Sequence, residues 1–149
     1  MNCNWYPHLT VATIVERSGK YLIVEELSDG IKVFNQPAGH LEQNETLVEA
    51  AVRETLEETG WHVKVDALVG FFMHTSGANN ITYFRCCFIA TALEHDKNYS
   101  LDEGIIGPVW LTLDQLKQHK HKLRSPLVLQ CIEDYEAGKR FSLDSISHS

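Results

Sequence analysis

No apolar run in this chain approaches the ~18 residues that a membrane-spanning helix needs, so no such span is expected. Basic residues are outnumbered: 13 Lys and Arg against 20 Asp and Glu give a formal net charge of −7. Non-specific binding to nucleic acid requires a basic footprint, so a nucleic-acid partner is not expected either. Cysteine is scarce, and Cys3, Cys86, Cys87 and Cys131 form no C-x-x-C pair. Cys86 and Cys87 are adjacent on a predicted strand, where successive side chains point to opposite faces. Reduced, structural thiols are the reading that follows. The first residues, Met1 to His8, match neither a signal peptide nor a transit peptide, which makes the cytoplasm the expected location. Internal repeats and low-complexity tracts are also missing. With 149 residues, 44% of them hydrophobic and 22% charged, the chain predicts a single globular domain over 1–149. The Ser-rich stretch 142–149 predicts a loosely held tail. A monomer is the default.

What is present is organised around residues 39–61. Thr46 with Glu49 three residues on is a capping box, and residues 47–58 contain neither Gly nor Pro. Gly60 sits where a helix ends in a left-handed residue. On this predicted helix Glu54, Glu57 and Glu58 stand at i, i+3 and i+4, on one face. Leu47, Ala50 and Ala51 lie on the same stripe one to two turns earlier, so the carboxylates continue an inward-facing stripe. Grouped carboxylates raise one another's pKa and call for a positive counterpart. A divalent cation such as Mg²⁺ or Mn²⁺ suits an all-oxygen site and bridges to phosphates. Arg53, four residues from both Glu49 and Glu57, can orient a carboxylate and offset charge. The plainer alternative is a charged helix with ordinary i,i+4 pairs.

In front of the helix, Gln36 to Gly39 reads as a loop. Pro37 fixes one φ, and Gly39 allows a conformation that a Cβ would hinder, so that its carbonyl can approach a metal ion. A plain tight turn is the alternative.

Gly39, Glu45, Arg53, Glu54, Glu57, Glu58 and Gly60 spell G-x5-E-x7-R-E-x2-E-E-x-G. This resembles the box that defines the Nudix hydrolase family. Two packing positions depart from its aliphatic pattern, Thr55 and Trp61. Residues 35–42, 45–51 and 123–128 resemble the NudJ-type phosphatase branch of that family, and with His8 to Ala12 the likeness spans nearly the whole chain. The resemblance implies an α/β (α+β) sandwich with a mixed β-sheet between helices. It implies metal ligands at Gly39, Glu54, Glu57 and Glu58. Glu54 would be the general base, with Arg53 and Glu45 fixing the ligand glutamates.

Elsewhere, alternation and β-branched residues predict strands at 9–16, 21–26, 31–35, 63–73, 81–93 and 109–111. Tyr83, Arg85 and Cys87 share one strand face. Arg85 needs an anionic partner there, either substrate phosphate or a structural carboxylate. Residues 94–107 read as a polar loop, in which Asp102 and Glu103 are either solvated or a further carboxylate for the site; Glu103 is held as a candidate contact. His119 and His121 are two residues apart, share no helix face and predict a basic turn. Thr112 and Gln115 cap a short helix. Ser125 and Pro126 open a last one, an anion-binding geometry with Arg124 immediately before it.

The function implied is Mg²⁺-dependent hydrolysis of phosphoanhydrides in nucleoside tri- and diphosphates, or in a thiamin-precursor diphosphate, with release of phosphate. The partner is a small nucleotide or organic diphosphate. Dinucleoside-polyphosphate or ADP-ribose pyrophosphatases are the alternative, but the Tyr or Pro diagnostic of those branches is missing from residues 62–82. A non-catalytic nucleotide-binding module is the alternative of a different class. The full set of box glutamates counts against it.

Overall fold

A computed structural model describes residues 4–149; Cys3 lies outside them. Strands β1 (His8–Arg17) and β2 (Lys20–Ser28) form a hairpin, followed by β3 (Ile31–Asn35) and the short β4 (Ala38–His40). Helix α1 (Leu47–Thr59) leads into the long β5 (Trp61–Thr75) and β6 (Thr82–His95). Then come β7 (Ile105–Leu111), α2 (Leu113–Gln118) and α3 (Leu127–Glu136), with single 3-10 turns at Lys120–Lys122 and Leu143–Ser145.

The sheet is mixed, in the order β3-β2-β1-β6-β5. Strand β1 runs parallel to β6 from His8 to Val15 and antiparallel to its other partners. It pairs with β2 only at the hairpin base, Glu16 and Arg17, and so leaves its other edge to β4. Strand β7 lies against β2.

Alternation along the strands sends side chains to two layers. Val11 and Val15 of β1, with Cys86 and Phe88 of β6, pack under Ala50 and Ala51 of α1. Ala12, Ile14, Cys87 and Ile89 face the other way, toward Leu127, Cys131 and Ile132 of α3. The sheet between helices expected from the sequence is therefore present. All three described cysteines are buried free thiols.

Several local readings need correction. The segment at Gly39 is a strand edge, not a loop: Ala38, Gly39 and His40 pair with Ala12, Val11 and Thr10. Strand β7 begins at Ile105, inside the stretch read as a polar loop. Ser125 and Pro126, by contrast, open α3 as expected: Pro126 is already in helical conformation, and Ser125 Oγ accepts a hydrogen bond from Leu127 N at 3.2 Å. The end of the chain, expected to be loose, sets Leu143 and Ile146 against the α1-side core.

The two departures from the aliphatic pattern have physical explanations. Thr55 is fully buried; its hydroxyl donates to Ala51 O at 2.8 Å and lies 2.9 Å from the Thr13 hydroxyl. A polar pair at zero exposure thus ties α1 to β1 where an aliphatic contact would serve in its place. Trp61 stacks on His95 at 4.7 Å between ring centroids and meets Trp110 edge-on, with the Arg17 guanidinium 4.8 Å from its centroid.

The end of α1 depends on Gly60, which closes the helix at φ 74° with its N–H on Leu56 O. A Cβ there would stand 2.7 Å from the Asp96 carbonyl. Left-handed strain and this clash add, so Gly60→Ala should lose at least ~2 kcal/mol of stability in a urea titration. An unchanged midpoint would show that the helix end can shift without cost.

Candidate active site

The capping box at Thr46 and Glu49 starts α1 as the sequence predicts: Glu49 N donates to Thr46 Oγ1 at 3.1 Å and Thr46 N to Glu49 at 3.0 Å. Glu49 is therefore occupied at the helix start and makes no pair with Arg53. Arg53 turns instead to four other acceptors. It grips Glu45 with two bonds, Nε to Oε2 at 3.0 Å and Nη2 to Oε1 at 2.7 Å. Its Nη1 reaches Glu54 Oε1 at 2.8 Å and Glu57 Oε2 at 3.2 Å, and Nη2 also donates to the His40 carbonyl at 3.0 Å. A planar guanidinium with a fixed fork of donors suits this role, and a lysine does not.

Glu54, Glu57 and Asp102 each bring a carboxylate oxygen within 4.8 Å of the others. Asp102, not Glu103, is the loop acid that joins the helix. Its backbone N–H donates to the Glu57 carbonyl at 3.1 Å, which fixes the loop beside α1. Glu103 is exposed and stands outside both this cluster and the adjoining cleft. Glu58 sits one step further in. It is 8% exposed, and its Oε1 accepts the Ala38 N–H at 2.8 Å. Gly39 is held against the same group: a Cβ on it would fall 2.1 Å from Glu54 Cδ. Glycine is required here for close approach, since its φ is not left-handed.

Electrostatics follow from burial. Burial raises the carboxyls of Glu54 and Glu57, and Arg53 pulls both back. Burial pushes Glu58 up to about 8, against the hydrogen bond from Ala38. Glu45 is lowered, chiefly by its hydrogen bonds from Arg53. The residues fit a hard divalent cation: all donors are oxygens, the three nearest converge, and the backbone opposite them has no side chain in the way. Such an ion would lie among Glu54, Glu57, Asp102 and Gly39, with Glu58 adjoining.

Beside this face lies a cleft of about 440 Å³, lined among others by Gly39, Glu58, Asn35, Arg85, Arg124 and Tyr83. The structure thus brings Arg85 and Arg124, far apart in sequence, to one cleft. Arg124 pairs with Glu26 at 2.6 Å and is half exposed, so it has the acidic partner that a structural role requires while still facing the cleft. Among the described residues Arg85 pairs with no carboxylate; its partners are the amides of Gln36 and Asn35. A second hollow of about 460 Å³ along α3 shares Arg124 but none of Glu54, Glu57, Glu58 and Asp102. Asn35 and Glu26, which line the cleft, and Gln36, which holds Arg85, carry no motif in the sequence. Only a polar residue in an otherwise apolar strand or strand end could have flagged them.

Comparison with known proteins agrees with this geometry. Residues 6–130 match the family model described as the NUDIX domain. The chain is 41% identical over 141 residues to a protein named Phosphatase NudJ from Escherichia coli K12, covering 94% of this chain and 90% of that one. The Phosphatase NudJ of Shigella flexneri gives the same figures. A solved structure described as a NUDIX hydrolase from Nitrosomonas europaea superposes with a TM-score of 0.95 at 41% identity, covering 97% of this chain and 98% of its own.

The raised carboxyl of Glu58 makes a prediction about the metal-free protein. Its protonated form is favoured in the fold, so its contribution is complete below the usual 4.5 and is lost as pH climbs through about 8. Glu54 and Glu57 act in the same direction. His40 is lowered by burial and has the opposite slope, but only below its ordinary 6.5. In EDTA, Tm should therefore fall between pH ~6.5 and ~8.5, and Glu58→Gln should flatten the profile. A wild-type Tm that is level or rising over that range would contradict the burial argument.

Proposed function

The chain belongs to the Nudix family and is a phosphohydrolase, and from that premise we propose that it is a Mg²⁺-dependent phosphatase of nucleoside tri- and diphosphates and similar organic diphosphates. The observation that carries this reading is the convergence of Glu54, Glu57 and Asp102 beside a cleft that also holds two arginines. Phosphoanhydride cleavage requires little covalent chemistry from a protein; it requires an oriented water, neutralised charge and a held leaving group. A bound divalent ion supplies charge neutralisation and a water of lowered pKa. The name of the NudJ relatives supports phosphate release as the outcome.

The chain's own residues divide the remaining work. Arg53 holds Glu54 and Glu57 in place and is itself clamped by Glu45, so the ligand carboxylates do not spring apart. Glu54 is our general base. One of its oxygens is engaged by Arg53, and burial raises its affinity for a proton, which favours proton uptake by this carboxylate. Arg124 lies at the start of α3 and offers a charge-assisted contact to a phosphate in the cleft, sharing itself with Glu26. One domain over 1–149, a cytoplasmic setting and a small-molecule substrate without a nucleic-acid partner complete the proposal. The net charge of −7 supports the last of these.

Three measurements test it. Glu57→Gln keeps side-chain volume but weakens a hard-cation ligand. Turnover in saturating Mg²⁺ should fall ~100-fold or more, while Tm in EDTA holds or rises. Near-normal turnover would remove Glu57 from the metal site. Because protons compete with metal for carboxylates, the acid limb of the activity profile should move to lower pH as Mg²⁺ is raised. A limb indifferent to Mg²⁺ would mean that the titrating group is not a ligand. Arg124→Ala should cost ~10-fold or more in kcat/KM on a nucleoside triphosphate. Unchanged kinetics with a lowered Tm would make Arg124 a structural partner of Glu26 alone.

A further inference from the structure

Arg85 is a buried cation with no anion beside it. It is 6% exposed, and among the described residues no acidic side chain lies within ion-pair distance of it. Its Nη1 donates to Gln36 Oε1 at 2.7 Å and its Nη2 to Asn35 Oδ1 at 3.3 Å; Nε has no hydrogen-bond partner among the described residues. Desolvating a guanidinium is unfavourable unless an anion and a full set of hydrogen bonds compensate it. Two amide dipoles supply only part of that. Gln36 is itself fixed, since its Nε2 donates to the Val128 carbonyl of α3 at 2.7 Å. Its oxygen is therefore committed to Arg85. The arrangement orients the guanidinium while leaving its charge uncompensated. The titratable groups around it are Tyr83 on the same strand face, Glu26 and Glu58 lining the same cleft beyond ion-pair distance, and the buried thiols Cys87 and Cys131. Cys131 is held below its ordinary value first by a hydrogen bond with Cys87 and then by the charge and hydrogen bonding of Arg85; a neutral thiol, like the amides, brings no full negative charge.

The open side of Arg85 is the cleft. In the sheet register Arg85 stands opposite Thr10, and Thr10 opposite His40, so a single strand separates it from the one carrying Gly39. Toward the mouth of the cleft come Tyr83 and Asn79, joined by a 3.1 Å hydrogen bond, and the exposed Asn79 marks the rim. Depth has a chemical consequence. An internal phosphate carries substituents on both sides, and a receptor at the floor of a cleft accepts only a group that ends the molecule.

We propose that Arg85, held by Asn35 and Gln36, is the receptor for a terminal phosphate. The cleft then selects organic di- and triphosphates with a free phosphate end over compounds whose phosphates are all substituted. This rests on the reading of the cleft as the phosphoanhydride site and specifies which end of the substrate lies deepest.

The test is equilibrium binding in EDTA, where no metal-dependent hydrolysis proceeds, with ADP as the free-ended probe and ADP-ribose as the capped one. Wild type should bind ADP ~10-fold or more tightly than ADP-ribose, the order of one charged hydrogen bond. Arg85→Gln should remove that preference. Gln36→Glu should remove it too, by giving Arg85 the carboxylate it lacks, and it keeps the side-chain volume if loss of Arg85 itself prevents folding. Equal affinity of wild type for the two probes, including no measurable binding of either, overturns the proposal. So does a preference that survives in a folded Gln36→Glu protein. Phosphate release in Mg²⁺ is read separately: its loss with the binding preference intact would overturn the hydrolase reading and leave this one standing.

Discussion

Like charges on one helix face repel, and the site depends on how this chain contains that repulsion. Arg53 is the means. One guanidinium bridges Glu45, Glu54 and Glu57 and also bonds the His40 carbonyl, so it neutralises the face and links α1 to β4 at once. Glu58 is accommodated differently. It is buried beyond the reach of Arg53, accepts the Ala38 N–H, and has a carboxyl raised to about 8 by desolvation. The metal-free protein thus contains its acids by pairing some and favouring protonation of another. Neither device fully offsets the charge of the cluster, and a divalent ion would supply what is missing.

The scaffold is arranged to hold α1 against β1 and β4 without slack. The Thr13–Thr55 hydroxyl pair fixes the register of the helix over the sheet from within the core. The absence of a side chain at Gly39 lets Glu54 lie against the strand. Either change, a Cβ at 39 or a shift of α1 along the sheet, would move the carboxylates by more than ligand geometry tolerates. The strain-free strand conformation of Gly39 shows that close approach, not backbone freedom, is the reason for glycine at that position.

Much of this was legible in the sequence because it is local. The capping box, the i, i+3, i+4 carboxylates and the glycine stop of α1 are all encoded within a few turns. Arg53 to Glu57 is likewise an i,i+4 pair. What escaped is non-local or depends on a single residue of register. Asp102 and Glu103 are adjacent and chemically equivalent on paper; only the Asp102 N–H bond to the Glu57 carbonyl decides which one meets the helix. Strand β4 was hidden because three residues give no alternation to detect, and its pairing partner β1 lies far back in the chain. Arg85 was conspicuous, but its neutral partners come from the end of β3, and nothing local says that they are amides and not acids.

The central claim is that the oxygens of Glu54, Glu57 and Asp102, with the backbone of Gly39, form one divalent-cation site. Crystals equilibrated with Mn²⁺ and measured near the manganese absorption edge test this directly. The account predicts an anomalous peak among those groups, with carboxylate oxygens at ~2.0–2.3 Å, and its loss in Glu57→Gln crystals. No peak there in a protein that hydrolyses its substrate under the same Mn²⁺, or one bound only elsewhere, would contradict the account.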